Sequence, residues 1–180
     1  MRADAERNLD TVLETGARLL ADDPGASVAA IAKAAGVDRR TVYRHFPNRD
    51  ALLCGVYQAK MQAVEEVIAQ SRLTEAPVPV ALHRLIEGIV ATDRRYPVGY
   101  EQMFCQPAVS ERLERLRGQI EAFLQRAVDD GAIRSGLPDG MAWSLFITIV
   151  ELAAHQLGEL DPGPAADVAA DTLLNGIGAR

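Results

Sequence analysis

Apolar residues recur at i, i+3, i+4 spacing along most of the chain, the period of an amphipathic helix rather than of a strand. Leu9, Val12, Leu13, Gly16, Ala17 and Leu20 share one such face. They predict a helix from about Ala3 to Asp22, ended by Pro24 and Gly25. Two short helices follow, Ser27–Ala35 and Asp38–Phe46. Pro47 stops the second, and Asn48 is placed to cap a long helix reaching about Arg72. Further helices are predicted over Val80–Arg94, Val98–Cys105, Ser110–Asp130, Pro138–Leu160 and Ala165–Ile177. Breaks fall at Pro77 and Pro79, Pro97, Pro107, Gly131–Gly136 and Asp161–Pro164. Strand signals are almost absent, and no repeat or low-complexity tract stands out. The fold class read from this pattern is all-α.

The two short helices carry the most local information. Ser27 is a good N-cap, because its hydroxyl can accept a free backbone N–H of the first turn. Val28, Ile31, Ala32 and Ala35 form an inward stripe, with alanines small enough for another helix to cross closely. Gly36 supplies the left-handed residue that ends the helix. Asp38 caps the next, and Val37 with Val42 can form a hydrophobic staple across that cap. Two short helices joined by a tight turn containing glycine make a helix-turn-helix pattern.

In the second helix, RRTVYRHF, Val42 and Phe46 face inward, and Arg40 and Arg44 lie roughly opposite Val42. Arg39 and Arg40 stand in the first turn, where a cation opposes the helix dipole at a cost of ~0.3–1 kcal/mol each. Arg49 has the same disadvantage at the start of the following helix. Phosphates or base edges in a major groove would offset that cost, since the arginine fork matches guanine O6/N7 and phosphate oxygens. The alternative is a merely solvated charged face; the capped short–turn–short architecture and the misplaced cations favour DNA.

Charge sharpens this picture. The net charge of −6 looks wrong for a DNA binder, but its distribution is uneven. Residues 1–50 hold eight Lys/Arg and eight Asp/Glu, so the whole excess lies in 51–180. Residues 33–49 contain Lys33, Arg39, Arg40, Arg44 and Arg49 against Asp38 alone. An apolar content of 48% suffices for a core. No apolar run approaches the ~20 residues of a membrane span, and the charged N-terminus lacks an apolar signal core, so no membrane association and a cytoplasmic location are expected. Cys54 and Cys105 lack CxxC spacing and read as buried free thiols rather than a redox switch. His45, His83 and His155 are widely spaced, and no HExxH, GxSxG, P-loop or GxGxxG occurs. These absences argue against a metal site, a cofactor or an enzyme that happens to carry a basic surface helix.

The stretch ASVAAIAKAAGVDRRTVYRHFPNRDALL, with the preceding RNLDTVLETGARLLADDPG, resembles the DNA-binding head of the tetracycline-repressor (TetR) family. The specific likeness covers about residues 5–57; the rest matches only as an all-helical body of suitable length. Arg39-Arg40 after the cap departs from many members, which concerns operator sequence. The resemblance implies a head over residues 1–50 and an effector-binding, dimerising body over 51–180. It implies base-edge contacts by Arg39, Arg40 and Arg44, phosphate contacts by Thr41, Tyr43 and His45, and backbone clamps at Ser27 and Arg49. For His45 an interface role is the alternative. It also implies a homodimer on a near-palindromic operator of double-stranded DNA.

The segments 138–160 and 165–177 are the expected dimer surface, because the first is apolar on more than one face. The alternative is a wholly internal core helix. An effector, small and apolar or mixed, would bind in the body and release the operator. Candidate lining residues are Tyr57, Met61, Tyr100, Phe104, Trp143, Phe146, Glu151 and His155, with Ile86, Tyr96, Met103, His83 and Glu101 behind them. Aromatic and Met positions at helical spacing are more often core than pocket, so the polar outliers His83, Glu101, Glu151 and His155 are the better candidates. The reading is a ligand-released repressor, or alternatively a regulator of the same kind without a small effector.

Overall fold

The computed structural model describes residues 2–99 and 107–177. Among them are eight helices and no strand: α1 Arg2–Asp22, α2 Val28–Ala34, α3 Arg39–His45, α4 Arg49–Ser71, α5 Val78–Arg95, α6 Pro107–Asp129, α7 Met141–His155 and α8 Pro162–Ile177. The helix expected over Val98–Cys105 lies mostly outside the described residues.

Three helices begin earlier than their prolines suggested. Pro79 sits in the first turn of α5, Pro107 opens α6, and Pro162 and Pro164 open α8. Proline lacks an N–H, but the first-turn N–H groups have no intrahelical partner in any case, so a proline there starts a helix rather than breaking one. By contrast, α7 is shorter than Pro138–Leu160: Gly140, in the left-handed conformation with φ 74°, precedes it, and residues 156–160 form a turn.

The chain divides into two compact units. The first comprises Met1–Gln62 and Arg95–Glu111, so it is larger than a head ending at residue 50. Its core holds Val12, Leu13, Ala17 and Leu20 of α1, Val28, Ile31 and Ala32 of α2, Val42 and Phe46, and Leu52, Val56, Tyr57 and Met61 of α4. Gly55 allows the close approach of α4: a Cβ there would stand 2.6 Å from the Phe46 ring and 3.2 Å from Leu13. The second unit comprises Ala63–Arg94 and Arg112–Arg180. Leu82, Leu85, Ile86, Ile89 and Val90 of α5 are buried there, as are apolar residues of α6, α7 and α8, and α7 packs on α8.

Candidate nucleic-acid interface

Local capping builds the two short helices as the sequence predicts. The Ser27 hydroxyl accepts the Ala30 N–H at 3.1 Å. Gly36 has φ 66°, and the Asp38 carboxylate accepts the N–H groups of Arg40 and Thr41 at 3.0 and 3.2 Å. Val42 and Phe46 are buried, which turns the opposite face of α3 outward. Arg39, Arg40, Tyr43, Arg44 and His45 are exposed there, with Thr41 half-buried. The Arg39 guanidinium lies 5.2 Å from the centre of the Tyr43 ring, a cation–π pair that orders both. Arg40 and Arg44 have no ion pair or side-chain hydrogen bond among the described residues. The His45 ring lies tilted beside Phe46, with ring centres 6.3 Å apart.

Arg49, the expected backbone clamp, is half-buried and makes a contact within the chain. Its guanidinium donates to the Pro24 carbonyl, joining the α1–α2 turn to the first turn of α4. Its Nε is buried without a partner, and its nearest carboxylate is Asp50 at 3.7 Å. Asn48 caps the same helix by accepting the Ala51 N–H at 2.8 Å.

The described effector candidates fall in both compact units. Tyr57 and Met61 are fully buried in the first unit, one turn apart on α4. Phe146 is fully buried in the second unit, and Trp143, half-buried, lies 6.1 Å from it between ring centres. Trp143 also receives the Arg117 guanidinium at 5.1 Å and borders an open groove of about 290 Å³ with Leu124, Gln125 and Gly140. Glu151 and His155 are exposed on the solvent side of α7. Tyr100 and Phe104, with Glu101, Met103 and Cys105, lie outside the described residues. Sequence reasoning missed Lys60, whose buried ammonium donates to the Val98 carbonyl at 2.8 Å within the first unit. A lysine inside the apolar stripe of Val56, Tyr57 and Val64 was the available signal.

The family model for bacterial regulatory proteins of the tetR family matches residues 12–54, the segment that forms these capped helices. That segment is thus similar to the tetR family of bacterial regulatory proteins. Over 82 residues the chain is 37% identical to the HTH-type transcriptional repressor LfrR of Mycolicibacterium smegmatis, a match covering 46% of the chain and 43% of that repressor. The chain thus spans under half the length of that curated relative in sequence. It is 28% identical over 140 residues to the nucleoid occlusion factor SlmA of Marinobacter nauticus, covering 71% and 70% of the two. In structure it matches LfrR in complex with proflavine with a TM-score of 0.74 at 25% identity, over 95% of this chain and 97% of that one. The ketosteroid regulator KstR2 of Mycobacterium tuberculosis shares the fold, with a TM-score of 0.76 at 16% identity over 94% of each chain. None of the described helices is long and apolar enough to cross a membrane.

Proposed function

We propose that this chain is a dimeric, sequence-specific DNA-binding transcriptional regulator, a repressor whose hold on its operator is released by a small molecule. One observation carries the reading: Arg40 and Arg44 stand exposed, unpaired and one turn apart on the outward face of a capped helix. In this reading Arg39, Arg40 and Arg44 reach base edges, while Thr41, Tyr43, His45 and the Ser27 hydroxyl meet phosphates.

The dimer rests on a second observation. Along α7, Met141, Leu145 and Ile149 are only half-buried and Leu152 is 52% exposed; on α8, Val168 is 47% exposed. A helix whose apolar residues flank its buried stripe in this way has room for a second apolar partner. Two heads on a palindrome require a twofold partner, and a second copy of the chain supplies it. Release by a small molecule is supported by the LfrR–proflavine complex.

Genome-wide selection of DNA fragments bound by the purified protein tests the proposal. The expected product is a near-palindrome with half-site centres ~34–36 Å apart, one helical turn. Recovery of fragments with no shared sequence would refute sequence-specific regulation. The SlmA relatives favour a second reading, an architectural DNA-binding role without a small effector. Sites scattered around the whole chromosome, rather than beside a few genes, would support that reading instead.

A further inference from the structure

We infer that Arg94 is the positioning residue of the dimer face, holding the end of α7 and the turn into α8 in the one arrangement that a second copy can dock against. The inference rests on the dimer reading above and concerns only the second compact unit. A helix leaves its last carbonyls without intrahelical partners. At the end of α7 the Leu152 carbonyl is taken by the Gln156 N–H at 2.8 Å. The next two are taken by Arg94: Nη2 donates to the Ala153 carbonyl at 3.1 Å and Nε to the Ala154 carbonyl at 3.2 Å.

The same guanidinium continues into the turn. Nη2 also donates to the Leu157 carbonyl at 2.9 Å, and Nη1 to the Leu160 carbonyl at 2.6 Å. One half-buried side chain from the end of α5 therefore organises the backbone from 153 to 160. Its charge also complements the negative end of the α7 dipole. A planar fork with donors fixed in several directions suits four diverging carbonyls; a lysine ammonium offers a point charge on a flexible stem.

What this arrangement fixes is the exposed apolar set. Leu152 lies in the last turn of α7, just before the clamped carbonyls; Leu160, 40% exposed, is itself clamped; Val168 follows two turns into α8. A second tie runs from α5 to α8: His83 Nε2 lies 2.9 Å from the Asp167 carboxylate, beside Val168. The dimer face is thus referenced to α5 at two points, and Arg94 makes the larger share of the contact.

The test measures the dimer dissociation constant of the full chain by sedimentation, with helix content followed by circular dichroism. Arg94→Ala is expected to raise the constant about tenfold or more at unchanged helix content, the scale of a lost charge-assisted hydrogen bond. Arg94→Lys is expected to recover only part of that loss. An unchanged constant in either folded variant overturns the inference, even if the melting midpoint falls, because a merely stabilising residue would behave so. Should Arg94→Ala fail to fold, Arg94→Lys alone decides. Leu152→Glu separates the two claims. A wild-type dimer broken by Leu152→Glu but indifferent to Arg94→Lys overturns the role of Arg94 alone. A wild-type monomer at micromolar concentration overturns the dimer reading and this inference together.

Discussion

Many of the chain's arginines are held by the protein itself. Arg94 grips four carbonyls, Arg95 pairs with Glu14 at 2.7 Å, Arg112 with Glu65, and Arg126 donates to the Ala76 carbonyl at 2.8 Å. Arg40 and Arg44 hold nothing in the described structure, so removing either leaves the head folded. Arg40→Ala or Arg44→Ala is expected to cost about 1–3 kcal/mol of operator binding and to relax the preferred sequence at one position. A gel-shift titration with unchanged affinity would refute base reading by that residue. Arg49 belongs with the first group, because its guanidinium is engaged by Pro24. Arg49→Ala is therefore expected to lower the urea midpoint of the head while the slope of log affinity against log salt stays unchanged. A slope shallower by about 0.9 would return Arg49 to the phosphate contacts, since one released counterion contributes that much.

At the scale of elements, what could be read in advance is what is local. Ser27, Gly36, Asp38 and Asn48 act on backbone groups two to four residues away, and each does in the structure what its residue type dictates. The contacts that escaped are long-range: Arg49 to Pro24 spans 25 residues, Lys60 to Val98 spans 38, and Arg94 to Leu160 spans 66. No periodicity encodes such partners. The prolines misled for a local reason, as first-turn residues and breakers look alike without the fold. The pair Arg112–Glu65, which ties α6 to α4 inside the second unit, is another long-range contact with a measurable consequence. The hydrogen bonds from Arg112 hold the Glu65 carboxyl below its ordinary value, against the opposing effect of burial. A carboxyl lowered on folding stabilises the folded state above its unfolded value, and that stabilisation is lost as pH falls through the lowered one. Acid titration of stability should therefore show a decline below the ordinary glutamate range that Glu65→Gln reduces. Glu65 is 34% exposed, so solvent screens the pair and the effect is modest. Identical acid profiles for the two proteins would show that the pair contributes nothing on folding.

For the whole molecule, the excess of acid in residues 51–180 means that attraction to DNA comes from the patch between Lys33 and Arg49. One such patch, with three arginines on a seven-residue helix, offers few contacts. Specific affinity then depends on using two heads at once. Once the first head of a dimer is seated, the second binds as an intramolecular event at high effective concentration, which raises affinity by about 10²–10⁴ without any new kind of contact. Leu152→Glu places a charge at the most exposed apolar position of α7, in its last turn, where a partner would bury it unpaired. This variant is expected to sediment as a folded monomer. Its affinity for the full operator should fall by about 10²–10⁴, to the level of a single half-site, with a salt slope near half that of the wild type. Its affinity for an isolated half-site should stay the same, because the capped helices and Arg40 and Arg44 are untouched. If half-site binding fell as well, the substitution would be acting on the fold of the head, and the assignment of dimerisation to α7 and α8 would lose its support.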